Sequence, residues 1–292
     1  MDDGLRRAAV TGCDKKYIEG AKTLLASIEK HQPDVKRYCL TISEDYEEVK
    51  QGIGSLAEVH AVPRSIKVVS SDLQPAVLRL FMPCLPVDIA VWFDCDVIMC
   101  STSPELWSVN PGEVLAVLDT AYSRDCWIED SLKKFYRAQY PDLIDKRGFN
   151  SGVFAIRCSE WLDLPERYEQ EFEMGKYPTH PRIFDQPMLN GLMASKVRYL
   201  PFKFNAHNLF DHKIPKDVRV IHYTGRKKPW GVNFSKCEPS YYYWLKFGLC
   251  ERNEMVLLLV YIKILLRAPI RLLFMFLKNR QSFFNYIGDE NK

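Results

Sequence analysis

The chain has 292 residues, 47% of them hydrophobic and 26% charged, which supports a sizeable core and excludes global disorder. Its net charge of +3 neither favours nor excludes a polyanionic partner, and the partners expected below include no nucleic acid. Nine cysteines are scattered without a C-x-x-C pair, which argues against a zinc knuckle or a thioredoxin-like site.

Ala8 to Thr11 reads as a short strand ending at Gly12. The N-terminal MDDGLRRAAVTG before it lacks an apolar core, so no signal peptide and a reducing cytoplasm are expected. Tyr17, Ile18, Ala21, Leu24, Leu25 and Ile28 then recur at helical spacing up to Pro33. Val35 to Ile42 alternates like a strand, Glu44 to Val49 suits a helix, and Val59 to Val62 is another short strand. A helix around Pro75 to Leu85 leads into an apolar run from Ile89 to Met99, read as one long strand. Glu113 to Leu118 and Phe149 to Ile156 are further strands, flanking a polar helical segment near Ser131 to Tyr140. Strands alternating with helices predict an α/β fold with a mainly parallel central sheet flanked by helices.

The apolar run contains two carboxylates, Asp94 and Asp96. Ligands of open α/β sheets bind beyond the carboxyl ends of strands. In an extended chain, residues i and i+2 face the same way, so both carboxylates converge while Cys95 turns to the core. Close like charges repel unless a cation lies between them, and buried charges are paired or metal-bound. The residues alone leave two readings open: a divalent metal site, or a pair satisfied by Arg79 and backbone amides. A third, the D-x-D of a haloacid-dehalogenase-type phosphatase, is disfavoured because no later acidic pair follows.

Further stretches accompany the pair: VTGCDKKYIEGAKTLLASI (10–28) and VLRLF before it, then FNSGVFAIR (149–157), FDQPMLN (184–190) and IHYTGRKKPW (221–230). In this order they resemble glycosyltransferase family 8, the family of glycogenin and of bacterial lipooligosaccharide galactosyltransferases, over residues 8 to 230. The resemblance implies a GT-A nucleotide-diphospho-sugar transferase fold, residues 1–238, with a donor half to about residue 120 and an acceptor half beyond it. It implies a UDP-sugar donor and Mn²⁺, with Mg²⁺ as a substitute.

On that resemblance Asp94, Asp96 and His222 hold the metal, and Thr11, Asp14, Tyr17, Arg79, Cys95, Gly225 and Lys228 bind the nucleotide and diphosphate. Asn150 and Ser151 contact the sugar, and Asp185 and Gln186 are the catalytic pair beside its anomeric carbon. The residue types suit these roles. Oxygen ligands plus an imidazole fit Mn²⁺, Lys228 offers a point charge for phosphate, and Gly225 admits close backbone approach. Tyr17 also lies on the helical stripe, so core packing is an equal reading for it. The family retains anomeric configuration. Gln186 is an amide and a poor nucleophile, so front-face substitution is favoured over a covalent intermediate.

Residues 239–292 read as a separate tail. MVLLLVYIKILLRAPIRLLFMFLKNR (255–280) is interrupted by charges and falls short of the ~20 apolar residues a spanning helix needs. On a wheel, Arg252, Lys263, Arg267, Arg271 and Lys278 fall within about 100°, with an apolar remainder. That pattern describes a helix lying in an anionic membrane surface, with Tyr241, Tyr242, Tyr243 and Trp244 at headgroup level. The expected activity is hexosyl transfer, glucose or galactose, from a UDP-sugar to a saccharide or lipid-linked acceptor at the cytoplasmic membrane face. The alternative from another class is a catalytically silent, membrane-bound scaffold.

Overall fold

The computed structural model describes residues 4–66, 74–119, 148–173, 185–207, 216–224, 228–231 and 244. The chain divides into two compact units, residues 1–230 and 231–292, and the architecture below is that of the first. The predicted helix at 131–140, Gly225, Arg252, Tyr241 to Tyr243 and the tail cations Lys263, Arg267, Arg271 and Lys278 lie outside the described residues. Among the described residues, no helix is long and apolar enough to cross a membrane.

Strands β1 (Arg7–Gly12), β2 (Lys36–Thr41), β3 (Glu58–Ala61) and β4 (Ile89–Phe93) pair in parallel in the order β3-β2-β1-β4. Beyond β4 the chain adds β5 (Val97–Met99), β6 (Val114–Leu118), β7 (Phe149–Arg157), β8 (Val197–Leu200) and β9 (Val220–His222). β7 runs antiparallel to both β4 and β6, and β8 joins β6 in parallel. The sheet order is β3-β2-β1-β4-β7-β6-β8, mainly parallel with β7 reversed. Its strands are apolar on both faces, as a covered parallel sheet requires. Ala8, Val10, Ala90, Trp92, Val114, Ala116, Phe154 and Ile156 pack on one side. Ala9, Ile89, Val91, Phe93, Leu115, Val117, Val153 and Ala155 pack on the other. Truncating a fully buried ring such as Trp92 to alanine would cost about 3–5 kcal/mol.

Helix α1 (Ile18–His31) buries Ala21, Leu24, Leu25 and Ile28, the stripe its spacing predicts. Asp14 caps the 3₁₀ turn that precedes it, accepting from the Lys16 and Tyr17 amides. Helix α2 (Tyr46–Ile53) follows β2. α3 (Gln74–Val77) is short, and Leu78–Cys84 continues as 3₁₀ turns, where Pro83 has no amide hydrogen for an α-helical ladder. Helices α4 (Leu164–Glu173) and α5 (Asp185–Met193) cover the distal part. α4 and β8 were not predicted.

One prediction is corrected. Ile89 to Met99 is two strands in different sheets: the chain leaves the main sheet after Phe93, turns, and resumes as β5. β5 pairs antiparallel with β9, setting Val97 opposite His222. The Val97 amide donates to the Asp94 carbonyl at 3.1 Å, closing a four-residue turn. Asp disfavours strand interiors and suits turns, and here two occur in three residues.

Candidate active site

The turn, rather than an extended i, i+2 alternation, brings the two carboxylates together. The Asp94 amide makes the last bond along β7, to the Gly152 carbonyl at 2.8 Å. Its side-chain Oδ1 accepts from Trp92 Nε1 at 2.7 Å and from the Arg79 guanidinium at 2.8 Å. Asp94 Oδ2 faces His222 Nε2 at 3.8 Å, and Asp96 Oδ1 faces the same nitrogen at 3.2 Å. Ligand atoms of Asp94, Asp96 and His222 all lie within 4.8 Å of one another. Two hard oxygens and one imidazole nitrogen form a donor set that fits a divalent ion such as Mn²⁺. The residues present therefore fit the metal that the sequence implied.

Asp96 is buried, and its Oδ2 accepts from Lys228 Nζ. Burial alone would raise its carboxyl pKa, but His222 and Lys228 outweigh that and hold it well below the carboxylate range. Burial lowers the Lys228 pKa and Asp96 more than restores it. Lys228, expected on a diphosphate oxygen, thus pairs with the Asp96 carboxylate.

Arg79 is buried beneath the turn. Its terminal nitrogens reach the Ser151 carbonyl (2.8 Å), Ser151 Oγ (2.9 Å) and Asp94. Its Nε donates to the Ala76 carbonyl at 3.1 Å and lies 3.2 Å from Asp185 Oδ2. Because Nε has one hydrogen, already given to Ala76, the Asp185 contact is a charge contact without a hydrogen bond, and Asp185 Oδ2 stays unsatisfied. Burial pushes the Asp185 carboxyl pKa up, with Arg79 opposing and Asp94 adding to the rise. Arg79 is the Asp94 partner foreseen as an alternative to a diphosphate ligand.

Helix α5 places Asp185 and Gln186 in its first turn, where Pro187 is tolerated. Gln186 Oε1 accepts from the Ser151 amide (3.1 Å) and Oγ (3.4 Å), while its Nε2 donates to Asp119 Oδ2 at 3.1 Å. Asn150 Nδ2 also reaches Asp119 Oδ2, at 3.4 Å. Asp185, Gln186, Asn150, Ser151, Arg79, Asp94, Asp96 and His222 therefore form one connected polar centre.

The nucleotide candidates lie at the carboxyl end of β1. Thr11 is buried with its Oγ1 unsatisfied. Asp14 is engaged as a cap, and burial raises its pKa. Tyr17 is half-buried against the cluster of Cys13, Ala21 and Leu25, edge-on to Trp230 at 5.6 Å. Trp230 in turn sits where a side chain at Gly20 would lie, since a Cβ there would stand 2.8 Å from its ring. Cys95 packs in the same cluster, and burial pushes its thiol pKa well above the ordinary value, so it is no nucleophile.

Sequence reasoning missed three members of the centre. Asp119 directly follows the apolar run of β6, so the strand-end rule that found Asp94 could have found it. Gly152 lies within NSG, and a Cβ there would stand 2.0 Å from His222 Cε1. Asn205, in KFNAH, has no local signal; it becomes visible only through its contact with His222 Nδ1 at 3.1 Å.

A mainly parallel sheet with one reversed strand, and an acidic turn at the carboxyl end of its central strand, define a GT-A glycosyltransferase. The fold matches the galactosyltransferase LgtC, solved with donor and acceptor sugar analogues, at a TM-score of 0.60 and 20% identity over 82% of this chain and 95% of that one. The chain belongs to glycosyl transferase family 8, whose family model matches residues 9–233. Among curated relatives, the lipopolysaccharide glucosyltransferase WaaO of Escherichia coli K12 is 25% identical over 251 residues, covering 75% of this chain and 71% of WaaO. A probable galacturonosyltransferase-like protein of Arabidopsis thaliana is 21% identical over 174 residues, covering 52% of this chain and 47% of the relative.

Proposed function

We propose that this glycosyltransferase moves a hexosyl group, glucose or galactose, from a UDP-sugar to a saccharide or lipid-linked acceptor in lipopolysaccharide-type synthesis, with Mn²⁺ and with retention of configuration. The observation that carries it is the convergence of Asp94, Asp96 and His222 on one point. The names of relatives, a lipopolysaccharide glucosyltransferase and a galactosyltransferase, support the donor and acceptor classes.

In this reading Asp94, Asp96 and His222 would hold a divalent ion, which would supply neutralisation of the charge that builds on the diphosphate as the glycosidic bond breaks. Arg79 and Trp92 fix Asp94 Oδ1 and leave Oδ2, which faces His222 Nε2, as the oxygen that would serve as a ligand. Lys228 leaves Asp96 for a diphosphate oxygen, with Gly225 allowing the backbone close to the phosphates. Thr11, Asp14 and Tyr17 seat the nucleoside, and the unsatisfied Thr11 hydroxyl supports this. Asn150, Ser151 and Asp185 hold the sugar hydroxyls. Gln186, tied at both ends of its amide, stabilises positive charge at the anomeric carbon instead of attacking it. The acceptor oxygen then bonds to that carbon on the face UDP leaves, and its proton passes to the departing diphosphate.

Melting with UDP, with Mn²⁺ and with both tests the donor site. Ligand at a hundred times its dissociation constant adds about 2.7 kcal/mol. A shift that needs UDP and Mn²⁺ together, and disappears in Asp96→Asn, is expected; no shift with any nucleotide would favour the silent scaffold. The tail, through Arg252, Lys263, Arg267, Arg271 and Lys278, holds the enzyme to the cytoplasmic face of an anionic membrane. Flotation with phosphatidylglycerol vesicles but not with phosphatidylcholine vesicles is expected, and equal recovery with both would remove this part.

A further inference from the structure

His222 presents its two ring nitrogens to different neighbours. Nε2 faces Asp96 and Asp94, while Nδ1 lies 3.1 Å from Asn205 Oδ1. The ring stands against Gly152 so closely that a Cβ there would lie 2.0 Å from its Cε1. Asn205 is fully buried, and strand pairing sets it beside His222: the His222 amide donates to the Ala206 carbonyl at 2.9 Å.

Amide and imidazole orientations are ordinarily assigned from the surrounding hydrogen bonds, and here the assignment can be anchored on a backbone donor. The Gly152 amide donates to an Asn150 side-chain atom at 3.1 Å, so that atom is the Asn150 oxygen. The Asn205 amide group reaches the same oxygen at 2.9 Å, so it turns its nitrogen there. Asn205 must then show its oxygen to His222. An amide oxygen only accepts, so His222 Nδ1 must carry a proton, and Nε2 is the nitrogen left to act as a ligand.

We propose that Asn205 is a positioning residue, which fixes the His222 ring with its proton on Nδ1 and thereby presents Nε2 to the metal. The inference rests on the metal-binding reading above. A carboxamide plays here the part that a carboxylate or backbone carbonyl plays behind many metal-bound histidines. It also ties the metal ligand to Asn150, one of the proposed sugar contacts, through a single side chain.

The test combines nitrogen-15 NMR of the His222 ring with Mn²⁺ titration in the presence of UDP, followed by electron paramagnetic resonance. The wild type should show a proton on Nδ1, both metal-free and loaded with Mg²⁺. Asn205→Leu, which lacks the acceptor, should bind Mn²⁺ about 10–100-fold more weakly. Asn205→Asp, which keeps an oxygen facing Nδ1 but loses the donor to Asn150, should lose less Mn²⁺ affinity than Asn205→Leu. An unprotonated Nδ1 in the wild type overturns the inference, and so does a folded Asn205→Leu that binds Mn²⁺ as the wild type does. Should Asn205→Leu not fold, the wild-type spectrum decides. A wild type that binds no Mn²⁺ even with UDP would overturn the metal reading, and the inference with it; unchanged binding in Asn205→Leu overturns the inference alone.

Discussion

Asp94 and Asp96 stand one residue apart in the same turn, yet their surroundings differ in what they leave free to move. Asp94 is held from the core side, by a guanidinium buried beneath it, an indole N–H and a backbone bond to β7. Those partners are anchored elsewhere: Arg79 also holds Ser151 and Ala76. Asp96 is held by His222 and Lys228, both of which belong to the proposed ligand set. One carboxylate is therefore built into the scaffold, and the other is shared between His222, which Asn205 holds, and Lys228, which binding would draw away. A site can be rigid in position and still exchange partners when its two charges are divided in this way.

The sharpest break of that division is Asp96→Asn. Transfer should fall by at least ~10²-fold, the scale of losing a preorganised charge-stabilising group. Asp94 and Arg79 keep the turn, so circular dichroism and the cooperativity of melting should match wild type. Metal-dependent turnover near the wild-type rate would show that Asp96 is not the exchangeable partner. A smaller effect is expected from Lys228→Met. In the free protein the ammonium and a metal compete for Asp96, so removing Lys228 should tighten Mn²⁺ binding without nucleotide by roughly tenfold. Affinity for UDP in the presence of Mn²⁺ should fall in the same variant. Calorimetric titration separates the two, and unchanged Mn²⁺ affinity without nucleotide would mean that the ion pair is no competitor.

The same division does not decide what could be seen in the sequence. Parts on both sides of it announced themselves: β1, β2 and α1 by their apolar spacing, Asp94 and Asp96 by carboxylates inside an apolar run, and His222 by the stretch that begins at the end of β9. The separation of β4 from β5 was hidden, because both are apolar and nothing local marks a change of sheet except the aspartates. β8 was hidden because its half-exposed VRYL carries little alternation. Asp119 stands at the end of an apolar strand as Asp94 does, but as a single carboxylate it has no second charge to mark it. Asn205 was invisible for a different reason: its role depends on an atom of Gly152 more than fifty positions away, and no local pattern encodes that. Its legibility needs the fold that brings Gly152 of β7 against His222 of β9.

The smallest expected effect probes the scaffold side. Asp185 touches Arg79 without a hydrogen bond, and burial raises its pKa despite that cation. A carboxyl whose folded pKa lies above its unfolded value binds more protons in the folded state. Its contribution to stability is therefore fully present below the unfolded value, near ~3.9, and is lost as pH rises through the folded one. Asp96 runs the opposite way: its pKa is depressed, so its contribution is present above the ordinary carboxylate range and is lost as pH falls through the folded value. Asp185→Asn should then melt no lower than wild type at pH 7, since Arg79 keeps Asp94 and the charge that burial penalises is gone. Any gain should shrink as pH falls and the wild-type carboxyl takes up its proton. Activity should fall all the same, because a sugar contact is altered, and such an exchange of stability for function is common at active sites. Melting several degrees below wild type at pH 7 would mean that Asp185 anchors Arg79 as firmly as Asp94 does. The scaffold would then comprise both carboxylates around the guanidinium, with Asp96 alone on the exchangeable side.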